Sequence, residues 1–252
     1  AQQVTVGGIV YQVAEGTDYA EVTHLPKDGD NHVPYTAASI TIEANVTIDG
    51  TSYPVKKIGN NALRNNNNLT SITLPEGLEI IGNSSFAQNE TITEYVIPST
   101  VKTIEDWAFY GNKALNKFNF PDGLTKITEH TFQETNFTSI ELPASVTKLG
   151  VCAFQTVRGL TSINLENITE VDGWALAQTA LSSVTLSGVE YLGSNSFYEC
   201  PELTTVVLEG TIQTGEWTFQ NCEKLSSVTL PNTLESIDGG AFSGCKALKS
   251  IT

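Results

Sequence analysis

One arrangement of apolar and polar positions returns along this chain, clearest in Leu225-Ser-Ser-Val228-Thr-Leu230-Pro231-Asn-Thr-Leu234-Glu-Ser-Ile237-Asp-Gly-Gly-Ala241-Phe242-Ser-Gly-Cys245. Its opening apolar residue recurs at Leu69, Ile92, Leu115, Phe137, Leu160, Leu181, Leu203, Leu225 and Leu248, at intervals of 21 to 23 residues. A degenerate earlier copy runs through Val55, Ile58, Gly59, Ala62 and Leu63. Each copy begins with strict alternation, as in Leu69-Thr-Ser-Ile72-Thr-Leu74, which predicts a short strand. Proline follows that strand in many copies (Pro75, Pro98, Pro121, Pro143, Pro231) and stops it, since proline has no N–H for a ladder. Apolar residues then come three or four apart, as at Val101, Ile104, Ala108 and Phe109, which predicts a short helical or 3₁₀ return segment.

A self-similar period of this length belongs to the leucine-rich class of solenoids. A single coil of about 22 residues loses on the order of 30 kcal/mol of conformational entropy at roughly 1.5 kcal/mol per residue. Its five or six apolar side chains return about 1.5–3 kcal/mol each on burial, so one coil cannot fold alone. Stacking lets the strands pair in parallel and covers each apolar layer with the next. The expected fold is therefore an α/β repeat solenoid: a right-handed coil stack with a parallel β-sheet face and about nine copies over residues 55–252, the last incomplete. Residues 1–54 are not repeats. Gly8–Val13, Ala20–Leu25 and Ser39–Ile42 alternate, and Asp49-Gly50 lies between Val46-Thr-Ile48 and Tyr53 as a hairpin signal, so an N-terminal antiparallel β cap is expected there. At the other end, Leu248–Thr252 supply a strand that no later residue covers, an open parallel edge.

Copies reading leucine, two polar residues, isoleucine, polar, leucine-proline, then isoleucine-glycine and alanine-phenylalanine resemble the BspA-like leucine-rich repeats of bacterial surface proteins. Asp49-Gly-Thr-Ser-Tyr53-Pro-Val55-Lys-Lys-Ile58-Gly59 is similar to the opening segment of that family. The resemblance covers residues 46 to 252. It implies secretion or surface display in a bacterium and binding of a protein partner, such as a host extracellular protein or a protein of a neighbouring cell. Glu166, Ser187 and Glu209 stand where other copies have the proline, and the copy around Thr211 to Gly215 is irregular.

Composition narrows the function. Twenty-eight acidic against 13 basic residues give a formal charge of −15, which repels nucleic-acid backbones and anionic headgroups. No apolar run approaches the roughly 18 residues of a membrane span, so membrane insertion is not expected. The chain contains no methionine and opens Ala1-Gln2-Gln3 into a strand-like run, which reads as a processed or engineered end and fits export. Sequons at Asn45, Asn68, Asn83, Asn89, Asn136 and Asn167 are of the number an Asn- and Thr-rich chain produces by chance.

His24, His32 and His130 form no zinc-spaced pair, no serine occupies a nucleophile elbow and no phosphate-binding glycine loop is present, so no enzyme, cofactor or metal is expected. Ser71, Thr73, Ser139, Ser162, Ser183, Thr185, Thr205, Ser227 and Thr229 line the outward strand face as a hydroxyl ladder: soluble β-favouring spacing, or a polar platform for a partner. Cys200, Cys222 and Cys245 each follow the repeat phenylalanine by three residues, in a column otherwise held by Asn66, Asn89, Asn112, Thr135, Val157 and Thr179; with no C-x-x-C pair, these are expected to be reduced structural thiols. The candidate site is a third column. Trp107, Trp174 and Trp217 precede the repeat Phe or Leu by two residues, with His130 at the same place and Asn61, Ser84, Cys152, Asn195 and Gly240 elsewhere. At about 4.8 Å per coil, Trp107 and Trp174 would stand roughly 14 Å apart and Trp217 roughly 10 Å further on. Such an aromatic stripe would suit a protein partner or, alternatively, a glycan; packing of each ring over the next coil is the competing explanation.

Overall fold

A computed structural model describes residues 2–26 and 32–252. The described residues form short β-strands joined by turns, with parallel sheets of stacked coils and no helix. They divide into two compact units, residues 1–124 and 125–252.

In chain order the first unit contains β1 (Gln3–Val6), β2 (Ile9–Val13), β3 (Ala20–Thr23), β4 (Ser39–Thr41), β5 (Asn45–Ile48), β6 (Thr51–Ile58), β7 (Ser71–Thr73), β8 (Ile80–Ile81), β9 (Glu94–Tyr95), β10 (Thr103–Ile104) and β11 (Lys117–Phe118). β1, β2 and β3 form an antiparallel meander, and β5 and β6 a hairpin turning at Asp49 and Gly50 with φ of 49° and 80°. Two left-handed residues in succession are what a tight hairpin turn requires, and Asp-Gly supplies them. β3 and β4, however, pair in parallel with β6 and β7, so the amino-terminal segment joins the sheets of the repeats and is not a separate antiparallel layer. β6, β8 and β10 then pair in parallel, as do β9 and β11.

The second unit contains β12 (Lys126–Ile127), β13 (Ser139–Ile140), β14 (Lys148–Leu149), β15 (Ser162–Ile163), β16 (Glu170–Val171), β17 (Ser183–Leu186), β18 (Tyr191–Leu192), β19 (Thr205–Leu208), β20 (Gln213–Thr214), β21 (Ser227–Thr229) and β22 (Ser236–Ile237). Every second strand joins one continuous parallel sheet, β12-β14-β16-β18-β20-β22, while the opening strands form β13-β15 and β17-β19-β21. Each coil therefore carries two short strands where the periodicity predicted one strand and a helical return.

The physical reason is visible in the backbone bonds of the return segment. Phe154 N–H donates to Ala175 O of the next coil at 2.9 Å, and Leu176 N–H to Ser196 O at 2.9 Å, while Ala153 N–H closes a turn onto Gly150 O at 3.1 Å. These amides bond along the stack and in tight turns, so no continuous run of i to i−4 bonds forms. The spacing of three to four residues that resembles a helix is produced by consecutive turns, and the α/β expectation is corrected to all-β. Stacked phenylalanines fill the interior. Phe197, Phe219 and Phe242 lie 5.4 Å apart with rings within 13° of parallel, and Phe197 and Phe219 are fully buried. Each such ring contributes about 1.5–3 kcal/mol by burial, with roughly 0.5–1.5 kcal/mol more from the aromatic pair.

Candidate binding surface

The column singled out for its tryptophans has a common backbone property. Asn61, Ser84, Trp107, His130, Cys152, Trp174, Asn195, Trp217 and Gly240 all have φ between 55° and 70°, the left-handed region. A β-carbon there costs roughly 1–2 kcal/mol, which explains why asparagine and glycine recur in the column and why tryptophan is unexpected in it. The strain is balanced by regular stacking. In the second unit His130 N–H donates to Val151 O, Cys152 N–H to Gly173 O, Trp174 N–H to Ser194 O, Asn195 N–H to Glu216 O and Trp217 N–H to Gly239 O, each at 2.9–3.1 Å.

These bonds bring His130, Trp174 and Trp217 into one line at alternate coils of the second unit, with Cys152 and Asn195 between them. His130 is half-buried, and its Nδ1 donates to Gln133 Oε1 at 2.6 Å. Trp174 is half-buried and meets Tyr198 edge-on at 5.0 Å. Trp217 is 40% exposed. One face of its ring rests on Gly240, where a β-carbon would come within 2.2 Å of Cε3 and Cζ3, so the absence of a side chain at Gly240 is what seats the ring. In the first unit Trp107 takes the same left-handed place, half-buried and edge-on to Tyr110 at 4.9 Å. The rings thus pack on neighbours and also reach solvent, Trp217 most.

A second left-handed column lies four residues further on: Asn65, Gln88, Gly111, Glu134, Thr156, Gln178, Glu199, Asn221 and Gly244, with φ between 51° and 73°. Its signal in the sequence was the mixture of Asn and Gly with long polar residues. Thr156 Oγ1 donates to Gln178 Oε1 at 3.0 Å and Gln178 Nε2 to Glu199 Oε2 at 2.9 Å. Hydrogen bonds from Gln178 and then Tyr198 hold the Glu199 carboxyl below its ordinary value.

The cysteine column proves to be a ladder of side chains bonded to the preceding coil. Cys200 Sγ donates to Leu176 O at 3.3 Å, Cys222 to Phe197 O at 3.1 Å and Cys245 to Phe219 O at 3.1 Å, where Asn112 Nδ2 makes the same bond to Phe86 O at 2.8 Å. All four cysteines are buried and unpaired as disulfides, and burial pushes Cys152 up to about 11. Among the described residues no group of three or more His, Cys, Asp or Glu is placed to hold a metal ion, and no helix is long and apolar enough to cross a membrane.

Coils of two short strands, a stacked phenylalanine core and a polar side-chain ladder define a leucine-rich repeat β-solenoid. The family model described as BspA type Leucine rich repeat region matches in six copies over residues 44–157, 79–204 and 125–249. These spans cover most of the sequence, and the chain belongs to the BspA-type leucine-rich repeat family. Among solved structures it is similar to a leucine-rich repeat protein from Bacteroides ovatus, with 20% identity, TM-score 0.58, and 98% of this chain and 88% of that one covered. It is also similar to the pneumococcal vaccine antigen PcpA, at 19% identity, TM-score 0.60 and coverage of 92% and 71%. A leucine-rich repeat protein from Eubacterium ventriosum gives 19%, 0.55, 97% and 88%. At these identities the likeness is one of fold. No curated protein matches the sequence.

Proposed function

We propose that the chain is an exported or cell-surface scaffold that binds a protein partner and carries out no catalysis. The observation that carries the reading is the line of left-handed residues in the second unit, which holds His130, Trp174 and Trp217 on a rigid backbone with Trp217 40% exposed. Tryptophan held rigidly at an accessible surface loses little entropy on contact and is a frequent hot spot. Trp107 serves in the same way on the first unit. Membership of the BspA-type family supports a surface location and a binding role. The formal charge of −15 favours a partner with a basic surface. On this reading residues 1–54 act as the amino-terminal cap and residues 55–252 as the binding solenoid.

The test is a screen of immobilised extracellular proteins beside a glycan array, followed by Trp174→Ala and Trp217→Ala. Binding of a protein with a loss of about thirtyfold in affinity on either substitution, corresponding to about 2 kcal/mol, is expected. Retention of full affinity by the double variant would remove the column from the binding surface. Glycan binding that is lost in the same variant would replace the protein partner by a carbohydrate.

A further inference from the structure

Within the second unit, neighbouring coils are hydrogen-bonded along both strand positions with one break. β13 pairs with β15, and β17 with β19 and β21, but no strand pairing joins β15 to β17. The break has a cause in the sequence. The copy from Leu160 to Leu181 is 21 residues long, the shortest step in the chain, and Thr179-Ala180 stands where the preceding copy has Val157-Arg158-Gly159. In regular coils the residue after the opening apolar position donates to its counterpart, as Thr161 N–H does to Thr138 O and Thr204 N–H to Ser182 O. At the short copy the bond is instead Ala180 N–H to Leu160 O at 2.9 Å, a slipped register after which the strands part. Ile163 is left half-buried, whereas Ile140, Val184 and Val206 at the same position are buried.

The parted strands enclose a groove of about 390 Å³ lined by Ser162, Ile163, Asn164, Glu166, Ser183 and Thr185, among others. In a parallel ladder the N–H and C=O of alternate residues face opposite neighbours. Since Thr138 C=O points to β15 and Ser182 C=O points to β19, the backbone groups of Ile163 on one wall and of Ser183 and Thr185 on the other face the groove. Unpaired strand edges are templates for an added strand. The single ionisable side chain of the lining is the exposed carboxylate of Glu166.

We propose that this groove receives a short extended segment of the protein partner, carrying a Lys or Arg, which adds its backbone to the open edges of β15 and β17. The inference rests on the scaffold reading above and names the chemistry by which the partner is held: main-chain pairing along the groove and a cation on Glu166.

A displayed library of random linear peptides selected on the folded chain supplies the probe. Selected basic peptides are expected to slow amide exchange at Ser183 and Thr185. N-methylation at alternate positions of the peptide should weaken binding about tenfold or more, since each neutral hydrogen bond contributes about 1 kcal/mol. Replacing Ala180 by Arg-Gly, to restore the turn length of the preceding copy, is expected to close the groove and abolish binding. Glu166→Gln, a surface change that leaves the fold intact, should lower affinity several-fold and flatten its salt dependence. Peptides that bind but protect only the residues around Trp174 and Trp217 would overturn the groove while leaving the scaffold reading standing. Tolerance of N-methylation, or undiminished binding by both variants, would also overturn it. Absence of any peptide binding, together with a negative screen of immobilised proteins, would overturn both.

Discussion

Thr214 occupies a position that Ile58, Ile81, Ile127, Leu149, Val171 and Leu192 fill in other coils, and its hydroxyl is buried without a hydrogen-bond partner. Ser196 stands in an alanine column in the same condition. A buried unsatisfied hydroxyl costs about 1–3 kcal/mol, and valine is isosteric with threonine and suited to a strand. Thr214→Val is therefore expected to stabilise the protein by about 1 kcal/mol, a rise in Tm of roughly 2–4 °C by thermal denaturation. An unchanged or lower Tm would mean that the hydroxyl is satisfied. The thiols give a second expectation at this scale. Cys200 and Cys222 are fully buried with Sγ on backbone carbonyls, and burial pushes Cys245 up. A thiol reagent should leave the folded protein unlabelled and titrate all four cysteines once it is denatured without reductant. Rapid labelling of the native state, or a lower count after denaturation, contradicts this.

The element whose geometry is most constrained is the junction between the second strand of a coil and its left-handed turn. At Gly193 a β-carbon would stand 2.4 Å from Asp172 C and Gly173 N, so the coils can approach only because the side chain is absent. Gly239, one residue before the left-handed glycine of its coil, would place a β-carbon with nothing within 4 Å. Gly193→Ala is accordingly expected to cost about 1–3 kcal/mol through forced backbone displacement, with Gly239→Ala close to neutral; chemical denaturation of the pair checks it. Equal stabilities would show that the stack yields at that point. The amino-terminal strands carry a pH-dependent contact. Tyr35 Oη donates to Thr23 O at 2.5 Å, accepts from Val10 N–H at 3.1 Å, and burial raises its phenol to about 12. Up to about pH 10 the phenol is protonated in both folded and unfolded chains. Between there and about 12 only the unfolded chain ionises, so the folded state loses stability as pH rises. Alkaline titration followed by circular dichroism and phenolate absorbance should show unfolding in that window, reduced in Tyr35→Phe; a structural signal flat through it would refute the linkage.

For the molecule as a whole, charge governs how a partner arrives. A formal charge of −15 steers a basic partner from a distance, and the range of that field shrinks from about 10 Å at 0.1 M salt to about 3 Å at 1 M. Association rates with a bound protein partner are expected to fall with ionic strength while dissociation rates change little, measurable by surface plasmon resonance. An association rate insensitive to salt would place the contact away from the acidic field.

What the sequence determined by itself was the repetition: a period of 21 to 23 residues, a strand opening each copy and the family resemblance all follow from which positions are apolar. The same spacing misled at the return segment, because apolar residues three and four apart mark one face of a helix and equally the inner corners of consecutive turns. Only the tertiary structure decided between them, since the destination of each amide, an earlier residue in the same coil or the next coil, is not written in hydrophobicity. It also showed why Trp174 shares a column with Asn195 and Gly240: a left-handed backbone, which glycine and asparagine hinted at and tryptophan disguised. The groove at β15 and β17 was present in the sequence as a copy one residue shorter than any other. Its effect appeared only in three dimensions, where Ala180 N–H bonds to Leu160 O and no strand pairing joins β15 to β17.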